Sequence, residues 1–580
     1  MNCRLLFSVV LFIALTAQHS SACTNLLVTK GASADGSVMI TYTADSAGFY
    51  PRLAVFAAAE HPEGTVIEVP ATDDRPAGAI KQAARTYHVI GVVWDDEPGS
   101  PGGFWTRQGI INEHQVAITE TTFGGRKELE NPQGLINYPM LMTFALERAK
   151  TAREAIDVMV ALVEEYGYND GGESISIADK EEAWVFEIVG TGNHPLDREL
   201  AGKTFGLAVW VAKKVPDGEI SVHANQARIG EIPDVPDRDN CFYSANIKSF
   251  AIEKGYYDPH SGKPFRFDDA YGDIDARSKR VCEARTWSIF RRAAPSQNFS
   301  PDYHRGKPDA QPYPWSIKPD KKLSVADVMA LKRDHYEGTE FDMTQGLDAG
   351  PYGLPLRWRP LYWKVEGDEN EYAWERPIST QQTGFGVVTQ SRSHLPDPVG
   401  GIAWYCVDDT YTSCYFPLYC CITEVPKPLA TGSIERFSWD SAWWVTNLVA
   451  NYANLKYSRI TPEIIAVQQE LETEFFRLQP QLEGNVAAAI KHNENETRED
   501  MRIPAEFSQR LLTSYSNSAG EQVFSRWKDL ATDIFTKYND GYIRGADGKY
   551  PGAGDPYPDK WLRRVVEERP EQFKLPANEE

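Results

Sequence analysis

The chain has 580 residues, 42% of them hydrophobic, and a formal net charge of −22. That content supports a real core, enough for two or three ordinary domains or for one large enzyme domain with insertions. The acidity argues against nucleic acid as a partner, for which a basic stripe would be needed, and mainly signals solubility.

Residues 1–22 read as a secretory leader. Arg4 supplies the positive n-region, Leu5 to Ala17 the apolar h-region, and Ser20 and Ala22 the small residues at positions −3 and −1 before Cys23. The apolar run is too short to span a bilayer, and no later stretch reaches that length without charges. The chain from Cys23 onward is therefore expected to be exported, periplasmic or extracellular, with no transmembrane segment.

Thr24 to Val28 and Val38 to Thr43 read as strands, joined by a turn that contains Gly31, Asp35 and Gly36. Tyr87 to Trp94, Gln115 to Glu120 and Ala183 to Val189 are further strand candidates. Between them, residues 138–167 carry apolar positions at three- and four-residue spacing, which predicts two helices meeting near Lys150 and Thr151. Thr151 with Glu154 fits a capping box on the second. Residues 254–321 are rich in Pro, Asp, Arg and aromatics and read as long loops with one short helix from Arg280 to Phe290. Residues 462–500 and 519–539 predict a helical C-terminal part.

The sequence holds no zinc helix, phosphate loop or serine elbow, and no cysteine pair at zinc spacing, so no metal or cofactor is expected. The acidic run from Asp268 to Asp275 matches no calcium loop and reads as a solvated turn. Of eight cysteines, Cys3 leaves with the leader. If Cys23 stays free, six remain that can pair in an oxidising compartment, Cys406 with Cys414 across a hairpin among them.

Cys23 at the head of a processed chain has two readings. A lipid anchor would occupy its sulfur and usually its amine, although such sites usually carry Leu at −3 and here it is Ser20. Alternatively it is a nucleophile with a built-in base. A thiol with an ordinary pKa near 8.5 is mostly protonated at pH 7, and an α-amine titrating at about 7.7–8.0 can take its proton. That chemistry needs no histidine and no metal.

The stretch "CTNLLVTKGASADGSVMITYTADS" resembles the start of the mature PepD-type dipeptidases. "NEHQVAITETTFGGR", "GESISIADKEEAWVFEIVGTG", "VWVAKKVPDGEISVHANQARI" and "DSAWWVTNLVANYA" resemble later segments of that family in the same order. The family belongs to the N-terminal nucleophile (Ntn) hydrolases, related to choloylglycine hydrolase and penicillin V acylase. The resemblance implies an α+β fold, the Ntn four-layer αββα sandwich of two antiparallel sheets with helices outside. With the segments read above, the chain is expected to divide into the leader (1–22), an Ntn-hydrolase catalytic domain (23–450) with loop insertions around 254–321, and a helical C-terminal region and tail (451–580). It also implies a cysteine-dependent hydrolase that cuts dipeptides through an acyl-thioester, with no cofactor, small peptides as partners and a homo-oligomer left open.

By the same resemblance Cys23 is the nucleophile and Asp45 the aspartate that holds the terminal amine. Asn225 falls where the acylases place an oxyanion asparagine, Thr122 near a second one, and Arg280 at a late arginine, with Arg277 close behind. Tyr42 stands where the relatives carry an arginine, which removes a fixed positive charge from beside the thiol. From residue type and proximity to these motif positions, Glu120 is a candidate for a substrate ammonium and Arg228 for a carboxylate. Two alternatives remain: a lipid-anchored binding protein whose fifteen tryptophans line a surface, and an Ntn amidase acting on acylated amines.

Overall fold

The computed structural model describes residues 23–46, 48–71, 77–94, 104–192, 199–200, 203–204, 207–504, 506–549 and 555–576. The leader candidate, residues 1–22, lies outside them.

Two large antiparallel sheets take up fifteen strands: β1 (Asn25–Val28), β2 (Val38–Asp45), β3 (Arg52–Phe56), β4 (Val89–Val93), β5 (Arg107–Asn112), β6 (Ala117–Gly124), β7 (Gly172–Ala178), β8 (Ala183–Val189), β9 (Val209–Lys214), β10 (Ile220–His223), β11 (Cys241–Tyr243), β12 (Ser316–Ile317), β13 (Thr383–Ser391), β14 (Ile402–Val407) and β15 (Phe416–Tyr419). The seven-stranded sheet runs β12-β10-β1-β2-β13-β14-β15 and the eight-stranded sheet β11-β9-β8-β7-β6-β5-β4-β3. Strand β2 touches β6, β7 and β8, so the sheets face each other.

Seven helices matter for the packing: α1 (Tyr138–Arg148), α2 (Ala152–Tyr166), α3 (Ala284–Ala293), α4 (Val325–Leu331), α5 (Ala442–Ala453), α6 (Tyr457–Asn495) and α7 (Glu506–Lys537). Helices α1 and α2 pack on β5 to β8, whereas α3, α4, α5, α6 and α7 pack on strands of the seven-stranded sheet. The two-residue period of a strand sorts its side chains between these layers. In β8, Trp184, Phe186 and Ile188 join the core shared with α1 and α2. Val185 and Val189 join the core shared with β1 and β2. The fold is thus α+β, built from antiparallel sheets and helices.

One ladder is incomplete. Strands β5 and β6 pair at Ala117 and Ile111 only, while β4 with β5 and β6 with β7 pair along most of their length. The sheet opens beyond that pair, and the Tyr42 side chain of the opposite sheet reaches the opening. Its hydroxyl accepts from Gln108 Nε2 on β5 at 3.2 Å and donates to Glu120 Oε1 on β6.

The strands expected at both ends of the first turn are present, with β2 two residues longer than predicted. Thr151 caps α2 by accepting from the Glu154 N–H at 3.2 Å. The Glu154 carboxylate takes the Lys150 N–H at 2.7 Å, so the box is not reciprocal. The region 254–321 is more helical than its composition suggests: Phe267–Tyr271 and Ala276–Ser278 are helical, and Lys279–Glu283 forms a π-helical turn leading into α3. Asp268 there is buried and paired with Arg266 at 2.6 Å rather than solvated.

The six cysteines that could pair do not: Cys241, Cys282, Cys406, Cys414, Cys420 and Cys421 are buried thiols. Several have backbone acceptors instead, Asp397 O for Cys420 at 3.2 Å and Pro398 O for Cys421 at 3.3 Å. With cores this large, cross-links are not needed to hold the chain together.

Asp408 follows β14 and is buried, with Oδ1 accepting from Asn447 Nδ2 at 3.1 Å. Burial, then the neighbouring Asp409, push its carboxyl up to about 8. A carboxyl raised on folding contributes stability that is lost as pH rises from about 4 through the folded value. Asp408→Asn carries no proton to lose. Its melting temperature relative to the parent should climb between about pH 5 and pH 8.5, equivalent to about 3–4 kcal/mol. A difference that stays flat across this range would contradict the assignment.

Candidate active site

Cys23 lies just before β1, and Asn25 pairs with His223 on β10. Continuing that antiparallel pairing brings Cys23 alongside Ala224 and Asn225. The Cys23 N–H donates to Asn225 Oδ1 at 2.8 Å, and Asn225 Nδ2 donates to Thr122 O at 2.7 Å. A donor on one side and an acceptor on the other fix which way the amide points. Asn225 has φ 59°, a left-handed conformation that asparagine tolerates better than most residues. The strand therefore turns sharply at the residue that holds the Cys23 nitrogen.

The sulfur faces two oxygens, Tyr42 Oη at 3.7 Å and Glu120 Oε1 at 3.7 Å. Cys23 is fully buried. Burial first, then the charges of Glu120 and Asp45, hold its thiol well above the ordinary cysteine range. At rest the sulfur is protonated and needs a base.

Three buried cations converge on the same place from elements far apart in sequence. Arg285, on α3, donates from Nη1 to Cys23 O at 2.6 Å, to Thr24 Oγ1 at 2.9 Å and to Asn225 Oδ1 at 3.1 Å, and from Nη2 to Ala224 O at 3.0 Å. Lys332, at the end of α4, donates from Nζ to Thr24 O and to Thr43 Oγ1 at 3.4 Å. Burial pushes Lys332 down to about 7; Asp45 and Cys23 act in the opposite sense. Arg376 pairs with Asp45 Oδ2 at 2.6 Å while Thr383 Oγ1 donates to Asp45 Oδ1 at 2.7 Å. Asp45 ends β2 at a bulge in its ladder to β13, the kind of irregularity that re-aims a side chain.

His223 is the histidine nearest in sequence to Asn225. Its Nδ1 bonds Thr121 Oγ1 at 2.7 Å and its Nε2 bonds Ser176 Oγ at 2.6 Å. Burial pushes it down to about 3, so it is neutral and ties the two sheets together rather than acting as a base.

The fold brings Cys23, Tyr42, Asp45, Glu120, Thr122 and Asn225 into one cluster, although in sequence they spread from 23 to 225. Two predicted residues are held by acidic partners. Arg280 is paired with Glu375 at 2.5 Å. Arg228 is paired with the buried Glu283 at 2.8 Å and donates to Pro314 O at 2.7 Å. Sequence reading missed Arg285, Lys332, Arg376 and Glu173. The run "ARSKRVCEAR" offers arginines at 277, 280 and 285, and only burial distinguishes the third, which is completely inaccessible. The π-helical turn Lys279–Glu283 just before it shifts the helix phase, a feature recurrent at functional sites.

A family model for peptidase family C69 matches residues 22–470, well over half of the chain, and the match begins one residue before Cys23. The chain belongs to peptidase family C69. This C69 protein is 28% identical to a probable dipeptidase of Latilactobacillus sakei over 66% of this chain and 71% of that one. It is 26% identical to a dipeptidase of Bifidobacterium longum over 74% of this chain and 76% of the relative. A probable dipeptidase of Salmonella dublin is 26% identical over 69% and 81% of the two chains. The resemblance drawn from the sequence blocks is borne out, and the C69 protein is a peptide hydrolase. Among the described residues, no helix is long and apolar enough to cross a membrane.

Proposed function

We propose that this C69 protein is an exported cysteine dipeptidase in which removal of residues 1–22 frees the Cys23 amine and switches the enzyme on. The observation that carries the reading is the paired anchoring of one residue: the Cys23 nitrogen on Asn225 Oδ1 at 2.8 Å and its carbonyl on Arg285 at 2.6 Å. Such double fixation suits a residue whose own nitrogen and sulfur must cooperate. The fold belongs with this reading as the four-layer αββα sandwich of the Ntn hydrolases, residues 23–450 forming the catalytic part and 451–580 a helical extension.

In the cycle, the neutral α-amine takes the Sγ proton, and the thiolate attacks the scissile carbonyl carbon. The carbonyl π electrons move to oxygen, where an Asn225 amide N–H stabilises the charge. Collapse breaks the C–N bond, and the ammonium returns its proton to the departing amine. A water then gives a proton to the same amine and attacks the thioester, and C–S cleavage restores the thiol. Lys332, when protonated, supplies positive charge near the sulfur that Tyr42 does not, and so favours the transient thiolate. Glu120 receives the ammonium of the dipeptide. The α-nitrogen of an aminoacyl group is about 2.5 Å from its carbonyl carbon. A carbon bonded to Sγ therefore places that nitrogen within salt-bridge reach of a carboxylate 3.7 Å from the sulfur.

The test is a hydrolysis panel of free dipeptides, N-acylated dipeptides, bile-salt amides and penicillins with the purified protein. Turnover of free dipeptides alone is expected. Preference for the acylated amines would replace the dipeptidase reading with the amidase one.

A further inference from the structure

Glu120 and Glu173 stand side by side next to the sulfur. Thr122 on β6 pairs with Glu173 on β7, and Glu120 is two residues before Thr122 on the same face, so the two carboxyl groups are diagonal neighbours. Both residues are fully buried. The first oxygen of each has a donor: Tyr42 Oη–H for Glu120 Oε1, and Thr122 Oγ1–H for Glu173 Oε1 at 2.6 Å. The second oxygens, Glu120 Oε2 and Glu173 Oε2, are buried and receive no donor from another residue. Burial, then the charge of Glu120, holds the Glu173 carboxyl well above the ordinary range, and two adjacent buried carboxyl groups cannot both ionise without a cation, so the pair shares one proton. The groups facing the pair are Cys23, Tyr42 from β2, Tyr138 from α1, and Tyr168 and Asp170 from the segment before β7. Asp170 is held by the Tyr138 N–H at 2.8 Å. Every charge in this set is negative or latent negative, and among the described residues no lysine or arginine forms an ion pair with either glutamate.

We propose that the Glu120–Glu173 pair is one receptor for the substrate α-ammonium and that Glu173 is a specificity-determining residue, the cation taking the place of the proton the two carboxyl groups share. The exchange balances. The free site holds one carboxylate and one carboxylic acid, with net charge −1. The ammonium arrives with +1, one proton leaves to solvent, and two carboxylates remain around one cation. A buried pair of like charges is costly unless a cation sits between them, so an uncharged or acylated amine cannot displace the proton. The same requirement orients the substrate, because the ammonium must lie on the Glu120 side of the sulfur.

The inference rests on Cys23 acting as the nucleophile of a dipeptidase, and the experiment keeps the two apart. Binding of Ala-Ala to the Cys23→Ala protein is measured calorimetrically at about pH 6.5 in buffers of different ionisation enthalpy. Release of close to one proton is expected, and the des-amino analogue propionyl-Ala should bind weakly with no release. In the Cys23→Ala, Glu173→Gln double variant the proton release should vanish. In the parent background, Glu173→Gln should raise KM for Ala-Ala about 10–100-fold, with a much smaller change in kcat. Glu173→Asp should keep part of the proton release, which a purely structural role would not predict. Unchanged proton release in the Glu173→Gln protein, equal binding of propionyl-Ala, or no dipeptide binding at all would overturn the proposal. Hydrolysis by Cys23→Ala would instead overturn the underlying mechanism.

Discussion

Cys23→Ala will lower kcat for dipeptides by about 10⁴-fold or more, with the melting temperature little changed. The size of the loss follows from the site's chemistry. His223, the histidine nearest in sequence to Asn225, has both ring nitrogens bonded to hydroxyl groups, so it does not stand in as the sulfur's base. Removing one sulfur atom from a fully buried position leaves the backbone anchors of residue 23 in place, namely Asn225 Oδ1 and Arg285 Nη1. Activity and stability should therefore separate cleanly. A variant that loses both in parallel would point to misfolding. A variant that keeps activity would remove the sulfur from the mechanism. Steady-state kinetics beside a thermal melt read both quantities on one preparation.

Arg285→Met is expected to be nearly as damaging, for a different reason. The guanidinium holds Cys23 O, Thr24 Oγ1, Asn225 Oδ1 and Ala224 O at once, and donates from Nε to Val281 O at 2.8 Å. A thioether satisfies none of these acceptors, and each buried orphan costs about 1–3 kcal/mol. Relaxation and water entry will reduce the sum, so a stability loss of about 3 kcal/mol is expected, with kcat down about 10²-fold or more as residue 23 loosens. Arg285→Lys restores the charge but not the fork that grips several oxygens. It should recover much of the stability and only part of the rate. If Arg285→Met hydrolysed dipeptides at the parent rate, the anchoring of Cys23 through its carbonyl would have no part in catalysis.

The first turn of the chain was legible in the sequence because its signals are local. Alternating β-formers around Gly31, Asp35 and Gly36 specify strand, turn and strand without outside help. Asn225 and Asp45 were reachable only through resemblance to a family, since neither has a local pattern that marks it. Arg285, Lys332 and Arg376 had no such signal. Each acts because burial and three-dimensional convergence put it at Cys23, and a charged residue in a helix or loop reads by default as solvent-facing. Arg280 and Arg277 came from the resemblance, and nothing local in the sequence marks Arg285, which follows the π-helical turn Lys279–Glu283. The Glu120–Glu173 pair was half visible: Glu120 was picked for its carboxylate, but its partner follows from the register of β6 and β7.

Intact-mass determination of the N-terminus on catalytically active protein tests the central claim most directly. The account predicts that all activity resides in chains beginning at Cys23 with an unmodified amine and thiol, and that mild acetylation of that amine abolishes turnover. Full activity in chains that still carry residues 1–22, or that carry an acylated amine on Cys23, would contradict it.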